Sequence, residues 1–257
     1  MATVQKYKLT DLFNWGNAKM GKKVLTWSIP AILTCPGRST VCEGLCYADD
    51  GFFKMANVRG KHHKNWMLSQ QSDFHLIASE LLKTVKDNTL FRIHVAGDFY
   101  DATYAEKWLH ILKQNPHVQA WVYTRSWRVP DILPVIEDLA QLPNLSFWYS
   151  VDKETGKPAK LPKNVRTAYM MVDDTDIPRW KPDLYFRDYG ARDTVAKSIK
   201  GTLVCPAENG ISGHVQCERC KICILDPLEH PEKRTHNRNI VNQLPMSITK
   251  RVALATV

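Results

Sequence analysis

Short apolar runs alternate with longer helical patterns along most of this chain, and that alternation confines it to parallel β/α architectures. The segments 24–33 (VLTWSIPAIL), 91–97 (FRIHVAG), 118–126 (VQAWVYTRS), 145–151 (LSFWYSV), 167–173 (TAYMMVD), 183–188 (DLYFRD) and 202–205 (TLVC) read as strands. They are rich in β-branched and aromatic residues and end in polar or turn-forming ones. Between them, 72–86 places Phe74, Ile77, Ala78, Leu81, Leu82 and Val85 on one helical face behind Ser72 as N-cap. Residues 101–114 do the same with Tyr104, Trp108, Ile111 and Leu112 behind Asp101. A third helix over 131–142 must hold Pro134 in its first turn, where no backbone N–H is needed. Strands joined through helices pair in parallel.

About six or seven such units predict a complete or partial β/α (TIM-like) barrel over about 24–204. A doubly wound open sheet is the alternative. At 257 residues the chain fits a single domain, with a cysteine-rich C-terminal cap and tail over about 205–257. Both architectures place chemistry beyond the carboxyl ends of the strands. Polar residues gather at those ends: Cys35, Gly97, Asp98, Thr124, Arg125, Ser126, Ser150, Asp152, Asp173, Asp174, Arg187, Asp188 and Cys205. Tyr123, Thr124 and Arg125 could line the mouth. Asp98 can serve as a cofactor ligand or general base, or cap the following helix. Arg125 can meet an anion, or pair with Asp152 or Asp173 as scaffold. His94, within a strand, reads as a core histidine.

The seven cysteines carry the chemical signal. Cys35, Cys42 and Cys46 form C-x6-C-x3-C in the loop after the first predicted strand. Cys205, Cys217, Cys220 and Cys223 form C-x11-C-x2-C-x2-C. The odd count fits full disulfide pairing badly, and a chain this long needs no covalent staples. Metal ligation is the expectation. The C-x2-C-x2-C run with one remote cysteine matches ligation of a [4Fe-4S] cluster, and Pro206 after Cys205 adds to the likeness. Zinc is the alternative, although zinc ribbons use two separated C-x2-C knuckles. Arg219 and Lys221 would offset thiolate charge or face solvent. The N-terminal three cannot complete a four-iron cluster, so one iron would stay open to water, substrate, cofactor or another side chain such as His62 or His63. One or two clusters, one mixed cluster drawing on both groups, and buried thiols all remain compatible with the spacing.

The N-terminus is polar, and no run of about 18 apolar residues exists. A cytoplasmic protein with no membrane partner is expected. The net charge of +9 and a pI of about 9.2 fit a polyanionic partner such as nucleic acid. Lysine, arginine and histidine concentrate at 19–23, 59–64 and 232–238. Phosphate-loop, dinucleotide, G-x-S-x-G and H-E-x-x-H motifs are absent. Three function classes follow: a redox or radical enzyme built on a cluster, with an electron donor as partner; a non-enzymatic cluster or zinc protein that binds nucleic acid or a host factor; or a redox sensor or electron carrier with the same cluster and no substrate pocket.

Three cysteines in the loop after strand one resemble the radical S-adenosylmethionine superfamily. That resemblance implies a partial β/α barrel, an open iron that chelates S-adenosylmethionine, a Gly97-Asp98 contact to its amino group and an Arg125 contact to its carboxylate. The spacing departs from the common C-x3-C-x2-C, and Tyr47 follows the last cysteine instead of preceding it. TCPGRSTVCEGLCYA, RIHVAGDFYD, YTRS at 123–126, CPAENGIS and CERCKIC together resemble the phage and plasmid gene product 88 family over about 24–225. That resemblance implies a phage or mobile-element origin, hence the host cell cytoplasm.

Overall fold

The computed structural model describes residues 7–173, 175–187, 204–205 and 215–224. Asp174, Asp188, Pro206, residues 202–203, the basic stretch 232–238 and the tail beyond 224 lie outside the described residues. One seven-stranded sheet organises the fold, in the order β1-β2-β3-β4-β5-β6-β7. Its strands are β1 (Asn14–Asn17), β2 (Gly21–Thr26), β3 (Leu90–Ile93), β4 (Gln119–Thr124), β5 (Leu145–Val151), β6 (Val165–Met171) and β7 (Leu184–Arg187). From β2 to β7 every pairing is parallel, and β1 is antiparallel to β2.

The expected mixed α/β sheet is therefore present. A strand order without reversal rules out the doubly wound alternative among the described strands, because right-handed crossovers in sequence put successive helices on one face. The sheet is nonetheless open. The β1 hairpin strand occupies the free edge of β2, whose backbone groups a closing strand would need. Beyond β7 the described pairing is a single parallel bridge, Tyr185 to Val204.

Four helices matter for the core: α3 (Ala56–Gln70), α4 (Phe74–Leu82), α5 (Ala102–Gln114) and α6 (Leu133–Leu139), preceded by the short α1 (Leu9–Leu12) and α2 (Thr40–Gly44). Alternation along the strands turns Leu25, Phe91, Ile93, Ala120, Val122, Phe147 and Tyr149 toward α4, α5 and α6. Trp108 of α5 is fully buried there, with ring centroids 5.8 Å from both Trp27 and Phe91. Truncating it to alanine should cost about 3–5 kcal/mol, read from denaturant unfolding; a loss under about 1 kcal/mol would mean that the aromatic cluster does not carry this core.

Asp101 caps α5 as expected, accepting from Tyr104 N at 2.7 Å. Pro134 sits in the first turn of α6. Two expectations shift. Strand β2 ends at Thr26, not near residue 33, because Pro30 lacks a donor and Ile32 adopts a left-handed φ of 64°. The N-cap of α4 is Asp73, not Ser72.

Helix α3 and strand β1 are additions that periodicity missed. The apolar residues of α3 form no stripe. Polar anchors hold it instead: Asn65 Nδ2 donates to Leu12 O and Ser28 O, and Lys61 Nζ to Thr10 O and Asp11 O.

Candidate functional site

The N-terminal cysteines lie in a loop pressed against the carboxyl ends of β3, β4 and β5. Two glycines permit the approach. A Cβ on Gly37 would stand 2.0 Å from Arg125 O, and one on Gly97 would stand 2.4 Å from Ile29 Cγ1. Gly97 also has φ +82°, in the left-handed region.

Asp98, 5 % exposed, ties β3 to β4: Oδ1 accepts from Phe99 N and Thr124 Oγ1, and Oδ2 from Arg125 N at 2.7 Å. Burial still raises its pKa, because these hydrogen bonds only partly offset the desolvation. Arg125 Nη1 pairs with Asp152 Oδ2 at 2.6 Å, both side chains almost fully buried. Asp152 also accepts from Ser39 Oγ at 2.5 Å and from the backbone of Glu154 and Thr155. Burial raises the Asp152 pKa, but Arg125, Ser39 and those N–H groups outweigh it and hold the carboxyl below the usual range.

Ser39 caps α2 by accepting from Cys42 N at 2.9 Å, which links a ligand candidate to Asp152. Glu154 Oε2 takes Thr40 N and Thr40 Oγ1 at 2.8 and 2.6 Å. Arg128 Nη1 donates to the carbonyls of Gly37 and Arg38. Tyr47, after the last cysteine, donates its hydroxyl proton to Val95 O.

Gly97, Asp98 and Arg125 thus gather with Cys35, Cys42 and Cys46. Burial pushes all three thiols up. Asp98 adds to this at Cys35, whereas Arg125 opposes it at Cys42 and the backbone of Ala48 and Asp49 opposes it at Cys46. None of the seven cysteines is in a disulfide. Such thiols stay protonated at neutral pH until a metal displaces the proton.

The C-terminal cysteines lie on the face of the sheet opposite α4, α5 and α6. Cys205, Cys217, Cys220 and Cys223 line one pocket with Trp121, Leu184, Val215 and Ile222. Residues 215–224 are bonded to the sheet: Trp148 Nε1 and Arg166 Nη2 donate to Cys223 O, Arg166 Nη1 to Ile222 O, and Ser146 Oγ to Ile224 O at 2.5 Å. The short helix α7 (Cys217–Cys220) rests on the β1–β2 hairpin through Cys217 N to Lys19 O and Glu218 N to Met20 O. Tyr123 OH donates to Cys223 Sγ at 2.8 Å. Tyr123 therefore turns away from Thr124 and Arg125 and faces this second group.

Arg219 and Lys221 are exposed. The buried cations here are Arg92 and Arg166, 7 % and 8 % exposed, which lie over the rings of Tyr123 and Trp148 at 4.3 and 3.9 Å. Their signal was an arginine at an inward strand position, Arg92 in LFRI and Arg166 in VRTAYMM. Burial pushes Cys220 up to about 12. It also raises Cys223, although Tyr123, Arg166, Arg92 and Lys19 oppose it.

His94 is a core residue: Nε2 lies 2.8 Å from Tyr104 OH, and burial pushes its pKa down to about 3. His62 is buried beside Phe53, at 6.0 Å between ring centroids. Among the described residues no three His, Cys, Asp or Glu side chains converge closely enough to hold a single metal ion. No helix among them is long and apolar enough to cross a membrane.

Comparison with known proteins extends over the same elements. The chain is 27% identical over 212 residues to the Gene 88 protein of Mycobacterium phage L5, covering 74% of this chain and 78% of the phage protein. The Gene 88 protein of Mycobacterium phage D29 is 28% identical over 216 residues, with the same coverage. No solved structure matches. A family model described as Gene product 88 matches residues 7–225, from the first helix through both cysteine groups, and the chain belongs to that family.

Proposed function

We propose that this chain is an iron–sulfur redox protein of phage origin, with a [4Fe-4S] cluster on Cys205, Cys217, Cys220 and Cys223. The observation that carries the reading is their shared pocket on the face of the sheet opposite α4, α5 and α6. A cubane takes one thiolate at each of four iron corners, and four cysteines lining one pocket supply that number of ligands. When bound, the cluster supplies one-electron chemistry. The chain's residues anchor the ligand loop, exclude water and set the local charge.

Cys35, Cys42 and Cys46 would hold a second, open centre at the strand ends. Their place in a loop at the carboxyl ends of the strands favours a radical S-adenosylmethionine-like use of that centre. Asp98 and Arg125 already have partners, so their role here is to brace the loop and bias the charge at Cys42.

The test is iron, acid-labile sulfide and zinc per chain after anaerobic purification. About four irons and four sulfides that vanish in Cys220→Ala and persist in Cys42→Ala would support the C-terminal cluster. About eight of each would support both centres, and 5′-deoxyadenosine formed on reduction with S-adenosylmethionine would support the radical use. Zinc without sulfide would overturn the redox reading.

A further inference from the structure

We propose that Arg92 is the buried counter-charge, and Tyr123 the hydrogen-bond donor, of an anionic metal–thiolate group held by the C-terminal cysteines. The inference rests on the iron–sulfur reading and adds what sets the electrochemistry of that site. Arg92 lies on β3 between Phe91 and Ile93, which face the helices, so its own side chain points to the cysteine face. Its guanidinium stands 4.3 Å from the Tyr123 ring and 5.9 Å from Trp121, a pocket-lining residue. Among the described residues Nε and Nη1 of Arg92 meet no acceptor. A ring face alone compensates a buried cation only in part, and a guanidinium that cannot lose its proton needs an anion nearby.

Four thiolates on an iron–sulfur core would supply that anion, because the assembly carries net negative charge.

The two arginines divide the work. Arg166 spends Nη1 and Nη2 on the carbonyls of Ile222 and Cys223 and so positions the ligand loop. Among the described residues Arg92 makes no such backbone bond, and it answers the charge. Tyr123 adds an O–H donor on Cys223 Sγ at 2.8 Å. On reduction, one electron enters from an external one-electron carrier, which is oxidised by one electron. No bond breaks, and the bound group gains one negative charge. Nearby positive charge and hydrogen bonds to sulfur favour that state.

The test is a mediated dithionite titration, followed by electron paramagnetic resonance, of full-length wild type, Arg92→Met, Arg92→Lys and Tyr123→Phe, each assayed for iron and sulfide. At the wild-type midpoint, Arg92→Met should lower the reduced-to-oxidised ratio about tenfold, a shift of about 59 mV to more negative potential. Tyr123→Phe should shift the same way by less, and Arg92→Lys should recover most of the loss. Should Arg92→Met fail to fold, the isosteric Tyr123→Phe decides. Fully loaded variants with unchanged potentials would overturn the inference and leave the cluster standing. Wild type without iron and sulfide would overturn the cluster reading, and the inference with it.

Discussion

Asp152→Ala is expected to destabilise this protein by about 3–5 kcal/mol, because it strands a buried arginine. Arg125 and Asp152 have side-chain exposures of 7% and 0%. With Asp152 gone, the Arg125 guanidinium keeps its charge and loses its counter-ion, and Ser39 Oγ loses its acceptor. For a chain of this size the melting temperature should fall by roughly 10 °C. Arg125→Met/Asp152→Leu should recover much of the loss, since replacing both partners removes the unpaired charge. A double variant as unstable as Asp152→Ala would show that packing, not charge, holds the strand ends together.

The pH dependence follows from the depressed Asp152 pKa. Its contribution is fully present above the ordinary aspartate value of about 3.9 and is lost as pH falls through the lower folded value. Asp98 acts in the opposite sense. Its raised pKa makes the ionised form costly, and that cost is relieved as pH falls through the folded value. Wild type should therefore show an acid-side loss of stability that Asp152→Ala lacks.

Gly37→Ala should unseat the N-terminal cysteine loop. The new methyl would meet Arg125 O at 2.0 Å and Arg125 C at 2.5 Å, backbone atoms at the end of a central strand that cannot rotate aside. Overpacking of this kind costs about 1–3 kcal/mol, and displacement of the loop would also weaken the Arg128 bonds to Gly37 O and Arg38 O. Alkylation of Cys35, Cys42 and Cys46 should speed up as the loop lifts. Gly44→Ala is the control in the same loop, because its Cβ would meet nothing within 4 Å. Equal melting temperatures and equal alkylation rates for the two variants would sink the claim that Gly37 seats the loop.

The amino-acid pattern marks β5 from Leu145 to Val151 at both ends, the Asp101 cap and the Pro134 helix start, because each depends on neighbours a few residues away. It also singles out Arg125 and offers Asp152 as one of two partners; the fold selects Asp152. Helix α3 escapes such reading. Its stability comes from Asn65 and Lys61 reaching carbonyls roughly 40 to 50 residues back along the chain, which leaves no apolar stripe.

By itself the sequence determined a parallel α/β order and two separate cysteine groups, since strand alternation, helix periodicity and ligand spacing are short-range properties. Only the tertiary structure decided that β1 covers the edge a barrel would close on. It also decided that Arg92 and Tyr123 face the C-terminal cysteines, whereas Asp98 and Arg125 brace the N-terminal ones. The Tyr123 to Cys223 hydrogen bond spans 100 residues. Whether such a pair meets depends on the path of the whole chain between them, and no local periodicity records that path.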